Sequence, residues 1–303
     1  MTPRAFLVGL GPIGVEIGNA LAARGVAIAG GADPLFAGRP LSGSSIHARA
    51  ADLYASTERR PGDVCVLCTG SRVPSVAPQI EEALAAGLHV VSTCEELAYP
   101  ALRHPEIAAR LDAEARGRGL TVAGTGVNPG LVMDRLPLTL AQACARVERV
   151  RVERVVDAAR RRGPLRAKVG AGLTPEAFRD GVAAGRLGHV GLAESAALLA
   201  LGLGFAGDRV DETLEPVLDA AGVVLGVLQT ATAAGGRVSL RLQMSVDAPN
   251  PHDRIVLEGD PPLDVTIAGG THGDRATVGT VVNLVAGIGG LGRGLVTAAT
   301  SYR

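Results

Sequence analysis

Gly9-Leu10-Gly11-Pro12-Ile13-Gly14 decides the fold, and its surroundings carry more of the reading than its glycines do. Upstream, Ala5-Phe6-Leu7-Val8 is a short apolar run suited to a strand buried on both faces of a parallel sheet. Downstream, Pro12 suits a first helical turn, where its missing N–H goes unused. Ile13, Ile17 and Leu21 then recur at helical spacing. A second apolar run, Val26-Ala27-Ile28-Ala29, ends at Gly30-Gly31-Ala32-Asp33, so an acid stands nineteen positions after Gly14. Strand, glycine turn, helix, strand and acid together make a dinucleotide-binding βαβ fingerprint. Gly9 allows the tight turn, Gly11 lets the backbone approach a pyrophosphate, and Gly14 lets helix and strand pack closely. The helix N-terminus, with Pro12 and Ile13 in its first turn, offers N–H groups and partial positive charge to the phosphates. Asp33 would accept hydrogen bonds from the adenosine ribose, which favours NAD. Arg39, six residues later, would meet a 2′-phosphate if the loop folds back, so NADP stays open.

The alternation continues. Asp63 to Cys68 reads as a third strand ending at Thr69-Gly70-Ser71, and Val73 to Ala86 as a helix stopped by Gly87. Leu88 to Val91 is a fourth strand, followed by Ser92-Thr93-Cys94-Glu95-Glu96. Pro105 to Arg118 is helical, and Leu120 to Ala123 is a fifth strand ending at Gly124-Thr-Gly-Val-Asn-Pro-Gly130. Such alternation implies an α/β, Rossmann-type doubly wound parallel sheet, which binds ligands beyond the carboxyl ends of its strands. After Met133 the pattern changes. Val147 to Val156 alternates apolar and charged, as a strand with one solvated face, and helices follow at Pro175 to Ala184 and Leu192 to Leu203. Strand-like runs come next at Gly222 to Thr232, Val238 to Val246, Arg254 to Glu258 and Leu263 to Ile267. This reads as a second, α+β domain with a mixed sheet. Residues 1–133 form the nucleotide domain, 134–271 the substrate and oligomerisation domain, and 272–303 a segment returning to the first.

Composition agrees with a soluble enzyme. The 303 residues are 47% apolar and 2% aromatic, with no Trp and a formal net charge of zero. Aromatic cages and base stacking are disfavoured, and no basic tract beyond Arg160-Arg161-Arg162 gives nucleic acid a footprint. Neither a signal peptide nor a membrane span is expected, since the N-terminus runs straight into the first strand and charge or glycine breaks the apolar stretches. Cys65, Cys68, Cys94 and Cys144 make no disulfide framework. Cys65 and Cys68 lie three apart on a strand, facing opposite ways, so they cannot share a metal. They read as core thiols in a reducing cytoplasm. No metal site is expected.

Several blocks carry a family resemblance. They are Ser92-Thr-Cys-Glu-Glu-Leu-Ala-Tyr-Pro100, Gly124-Thr-Gly-Val-Asn-Pro-Gly-Leu-Val-Met-Asp134, Lys168-Val-Gly-Ala-Gly-Leu-Thr174, Gly188-His-Val-Gly-Leu-Ala-Glu-Ser195 and Gly269-Gly-Thr-His-Gly-Asp-Arg-Ala-Thr277. They resemble the 2,4-diaminopentanoate dehydrogenases, which are related to the native amine dehydrogenases and more distantly to dihydrodipicolinate reductases. The resemblance implies a homodimer or higher homo-oligomer. It also implies NAD(P)-dependent oxidative deamination of a diamino acid to an oxo-amino acid, releasing ammonia, with reductive amination as the reverse. The reductases' His-His-x-x-Lys element has no counterpart, since Val156-Asp-Ala-Ala-Arg-Arg-Arg-Gly-Pro-Leu-Arg-Ala-Lys168 contains no histidine. Simple amines or ketones remain an alternative substrate class, favoured by a pocket without a cation. A non-catalytic NAD-binding protein is the reading from another class.

Deamination needs a carboxylate beside the reacting nitrogen, to hold the ammonium, stabilise an iminium and take protons from the attacking water. Glu95 and Glu96 follow the fourth strand where that group is wanted. Glu95 lies nearer the strand end, and mutual repulsion would raise the pKa of one. Asn128 can donate and accept toward a nicotinamide carboxamide or the substrate, and Thr69, Gly70 and Ser71 would line the middle of the cofactor. Lys168, beside two glycines, would pair with a substrate carboxylate. Tyr99, His189 and His272 complete the substrate-facing candidates.

Overall fold

The computed structural model describes residues 3–159, 168–207 and 209–299. The Arg160-Arg161-Arg162 run, and all but the ends of the 156–168 stretch, lie outside them. The chain divides into two compact units. One runs to Leu131 and resumes at Gly273; the other is Val132–His272.

In the first unit the strands are β1 (Ala5–Val8), β2 (Ile28–Ala32), β5 (Val64–Leu67), β6 (His89–Ser92), β7 (Thr121–Gly124) and β14 (Gly294–Val296). They pair in parallel in the order β14-β7-β6-β5-β1-β2. The order reverses between β1 and β5, which is the crevice such sheets use for ligands. Alternate residues feed two cores. Phe6, Cys65, Leu67 and Val90 pack with Val76, Ile80 and Leu84 of α3 (Val73–Ala85) and with Leu111 of α4 (Pro105–Gly117). Ala5, Leu7, Val66 and Val91 pack with Ile17 and Leu21 of α1 (Pro12–Ala23) and with Val281 and Val285 of α8 (Gly273–Gly287). Burial on both faces explains the unbroken apolar runs, each large side chain contributing roughly 1.5–3 kcal/mol.

The second strand starts later than Val26. The Val26 N–H still bonds the Leu21 carbonyl across Gly25, so it belongs to the helix end. The strand instead runs through Gly30 and Gly31, where a Cβ would lie 2.6 Å from Leu53 and 2.5 Å from Leu41, so side chains from elsewhere fill the space. Also unforeseen are the small hairpin β3 (Pro40–Leu41) and β4 (Ser44–Ser45), the helix α2 (Ala50–Ser56), and β14. Cys65 and Cys68 do face opposite ways, one in each core, but only Cys65 is a core thiol, since Cys68 is half-buried.

The second unit is a mixed sheet. Its strands are β8 (Arg146–Asp157), β9 (Val210–Leu218), β10 (Val224–Ala233), β11 (Val238–Ser245), β12 (His252–Asp260) and β13 (Leu263–Ala268), in the order β13-β12-β8-β11-β10-β9. β8 and β11 pair in parallel, and the other neighbours are antiparallel. The helices are α5 (Arg135–Ala141), α6 (Pro175–Ala183) and α7 (Leu192–Gly202). β9 and α5 were not anticipated; Val-Asp-Glu-Thr-Leu-Glu-Pro-Val-Leu is too charged to look like a strand, and it stays largely exposed at the sheet edge, held by its pairing with β10.

Candidate active site

The glycine turn is tight where the chain meets itself and open where a ligand would approach. Gly9 has φ 87°, and a Cβ there would lie 2.7 Å from the carbonyl oxygen of Cys68. A Cβ on Gly14 would fall on the carbonyl oxygen of Gly9. Gly11, which precedes α1, would meet nothing within 4 Å. That cradle fits a pyrophosphate approaching the first N–H groups of α1. Asp33 follows β2 and is buried. One carboxylate oxygen accepts the Leu10 N–H at 2.7 Å and the other the Leu35 N–H at 2.9 Å, so it braces the glycine turn while keeping further lone pairs. The segment after Asp33 does fold back, with Gly38 and Asp33 bonded to Ile46 and His47. Arg39 is exposed there, its guanidinium 5.1 Å from the Phe36 ring centre.

Beyond the ends of β5, β6 and β7 lies a cavity of about 370 Å³. Ile13 of α1, the Thr69-Gly70-Ser71 turn, Glu95 and Asn128 line it together. Backbone bonds continuing the sheet fix these loops. Cys68 N donates to Val8 O at 2.8 Å, Thr93 N to Leu67 O at 3.1 Å, and Thr125 N to Ser92 O at 2.9 Å. The Ser92 hydroxyl donates to Leu67 O and accepts from Cys94 N, which aims the turn leading to Glu95. Cys68 also lines the cavity, and burial pushes its thiol up to about 11, so it is protonated at neutral pH.

Glu96 does not line this cavity. It is 2% exposed, and its carboxylate accepts Arg72 Nη1 at 2.7 Å and the Val73 N–H at 2.8 Å, with His104 Nε2 at 3.2 Å. It therefore caps α3 from another loop and ties the turn after β5 to the turn after β6. The upward shift expected for one of the pair does not fall on Glu96. Burial pushes the Glu96 carboxyl up, but the Arg72 and Val73 hydrogen bonds, helped by the charges of Arg72 and His104, hold it below the usual carboxylate range. The stability it contributes is complete above an ordinary carboxylate pKa of about 4.3 and is lost as pH falls through its lower folded value. The stability gap between wild type and Glu96→Gln is thus expected to narrow below about pH 4 in unfolding experiments. A gap of constant size down to about pH 2.5 would show that the charge is not used.

Tyr99 is half-buried between two short 3-10 turns and is not among the lining residues. Lys168, His189 and His272 belong to the second unit. Lys168 is exposed, and its carbonyl accepts the Gly188 N–H. His189 is held through its backbone by Gln229, which both accepts and donates at 2.9 Å. His272 is exposed at the end of that unit. Sequence reading overlooked Asp274 and Thr277, which line the cavity from the N-terminal end of α8; the Thr277 hydroxyl accepts the Val127 N–H at 3.1 Å. Their signal was their position at the head of a helix directly after the Gly269-Gly270-Thr271-His272 block. Arg72 and His104 were also missed, and nothing local marks them. Among the described residues no three His, Cys, Asp or Glu side chains come together to hold a metal ion.

Residues 131–299, more than half of the chain, match the family model described as the 2,4-diaminopentanoate dehydrogenase C-terminal domain. The 2,4-diaminopentanoate dehydrogenase of Acetoanaerobium sticklandii is 29% identical over 247 residues, covering 75% of this chain and 70% of that one. Among solved structures, an amine dehydrogenase from Mycobacterium smegmatis superposes with a TM-score of 0.82 at 22% identity, covering 99% of this chain and 96% of that one. The scyllo-inositol dehydrogenase of Lactobacillus casei, solved with NAD(H) and scyllo-inositol, gives 0.61 at 14% identity, covering 100% and 93%. These two likenesses are of fold. With the matched domain covering most of the second unit and the nucleotide-type sheet making up the first, the chain belongs to the 2,4-diaminopentanoate dehydrogenase family.

Proposed function

We propose that this dehydrogenase oxidatively deaminates a primary amine with NAD(P), a diamino acid such as 2,4-diaminopentanoate being the leading substrate. The observation that carries this is the charge of the cavity at the sheet's crevice. Among the described residues its lining holds two carboxylates, Glu95 and Asp274, and no Lys, Arg or His. Such a wall recognises a cation, and the substrate nitrogen is an ammonium at neutral pH. Bound oxidised nicotinamide would accept the hydrogen and electron pair that leave the amine carbon. Glu95 takes a proton from the ammonium, freeing the lone pair that closes the C=N bond. Once that proton has passed to solvent, the carboxylate stabilises the iminium and takes a proton from the water that adds to it; handing this proton to the carbinolamine nitrogen and accepting the hydroxyl proton in turn, it lets ammonia leave as the C=O closes.

The cofactor's phosphates are assigned to Gly9, Gly11, Pro12, Ile13 and Gly14. Its middle is assigned to Thr69, Gly70 and Ser71, its carboxamide to Asn128, and its ribose to Asp33. NAD is preferred, with Arg39 the residue that would admit NADP. Asp33→Ala is expected to weaken NAD about ten- to a hundredfold and to narrow the NAD/NADP ratio, measured by fluorescence titration of both cofactors. An unchanged ratio would reduce Asp33 to a brace for the glycine turn.

A second reading, amines without a carboxylate, is favoured by that same absence of a lining cation. Diamino acids and simple amines, assayed with NAD and NADP by absorbance of reduced cofactor, distinguish the two. Preference for 2,4-diaminopentanoate that Lys168→Ala removes through KM supports the first. Turnover of simple amines alone supports the second, and no turnover of any amine would overturn both. Tyr99, His189 and His272 are the further substrate candidates. Free thiols at all four cysteines support a reducing compartment, taken as the cytoplasm. A homo-oligomeric, dimeric enzyme is the state to test by light scattering.

A further inference from the structure

A second cavity, of about 700 Å³, lies at the other end of the first unit's sheet, at the turns leading into β5, β6 and β7. That is the size of a small-ligand pocket. Among the described residues its walls hold Arg59, Arg60, Arg118 and Arg293 and no acid, in a chain whose formal charge balances to zero. Arg60 and Arg118 reach Glu58 and Glu114 outside the walls, at 2.7 and 3.1 Å. Arg59 reaches the backbone oxygens of Tyr54 and Thr57, and Arg293 the Thr121 hydroxyl at 3.4 Å. Among the described residues, neither of these two meets a carboxylate.

The floor holds His89, which is 5% exposed. Its Nδ1 accepts the Thr121 N–H at 3.1 Å, so in the neutral ring the proton sits on Nε2. That nitrogen has no hydrogen-bond partner among the described residues. Burial, aided by the charge of Arg293, lowers the ring's pKa, keeping it a neutral donor at physiological pH. Helix ends explain part of the basic wall. Arg118 closes α4 and Arg59 turns back on α2, where carbonyl ends favour cations. They explain neither Arg293 nor the presence beside it of a His89 N–H that meets no protein acceptor among the described residues.

We propose that this cavity is a second anion site, separate from the Gly9–Gly14 turn, that takes a phosphoryl-bearing small molecule. The guanidinium forks of Arg59 and Arg293 match phosphate oxygens two at a time, and His89 Nε2–H supplies a third, directional donor. A ligand here would leave the dinucleotide crevice free, so both could be bound at once.

The test is a calorimetric titration of the full chain, saturated with NAD, with inorganic pyrophosphate in chloride buffer. Saturable binding is expected to persist with NAD present. The Arg59→Gln/Arg293→Gln double variant should bind pyrophosphate about ten- to a hundredfold more weakly with unchanged NAD affinity, which also reports that it is folded. Each single variant should lose part of that, which keeps the test open if the double variant does not fold. No saturable binding, competition by NAD, or wild-type binding by the folded variants would overturn the proposal. Equally tight binding of citrate would overturn its phosphoryl class.

Discussion

Glu95→Gln is expected to lower kcat for deamination about a hundred- to ten-thousandfold while the protein still binds NAD. The substitution keeps the side chain's size and removes the charge and the proton-accepting oxygen. The cofactor's phosphate cradle, from Gly9 to Gly14, is built by other elements, so its affinity should hold within a few-fold. Glu96→Gln is expected to behave differently, because Glu96 holds Arg72, the start of α3 and His104 and does not line the cavity. Its loss should loosen the Thr69–Ser71 turn and show as weaker cofactor binding and lower stability. Single-turnover rates with saturating NAD separate the two. If Glu95→Gln deaminates at the wild-type rate, the role passes to Asp274, the other carboxylate of the lining. If Asp274→Asn is also unimpaired, carboxylate catalysis in this cavity is wrong.

The division between these glutamates shows where reading a sequence stops. That residues 92–96 follow a strand, and so stand at a ligand-binding edge, is legible, because burial of a parallel strand is a local pattern. The glycine turn is legible for the same reason, since Gly9 and Gly14 pack against residues of their own βαβ unit and the strand beside it. Which glutamate faces the cavity is not local. It depends on Arg72, 24 positions away, arriving from the turn after β5. Asp33 is a similar case. Its place after the second strand is readable, but its bond to Leu10 joins groups 23 positions apart. The wall formed by Asp274 and Thr277 comes from a helix that returns to the first unit after the whole of the second, and no periodicity in the chain records which strand end such a helix meets.

One long-range pair did leave a mark, and it is the place where a single substitution should cost most stability. In β8, Val150, Val152 and Arg154 share one face, and the apolar-charged alternation breaks at Glu153-Arg154, putting an arginine where a core residue belongs. Asp253 lies directly opposite it in the antiparallel register of β12. Arg154 Nη1 donates to both carboxylate oxygens, at 2.9 and 3.0 Å, and Nη2 to the Thr271 carbonyl at 2.7 Å. The Thr271 N–H completes the set on Asp253 at 2.7 Å. Both side chains are almost wholly buried. A buried, fully bonded pair adds little over apolar packing, but removing one partner strands a charge away from water. Asp253→Leu alone is therefore expected to destabilise the second unit by about 3–5 kcal/mol. Adding Arg154→Met should recover most of that loss, as the stranded charge goes with it. Denaturant unfolding of the two variants measures both steps. A single variant within about 1 kcal/mol of wild type would mean that water reaches Arg154, and a double variant as weak as the single would mean that the bonds to Thr271 carry the stability.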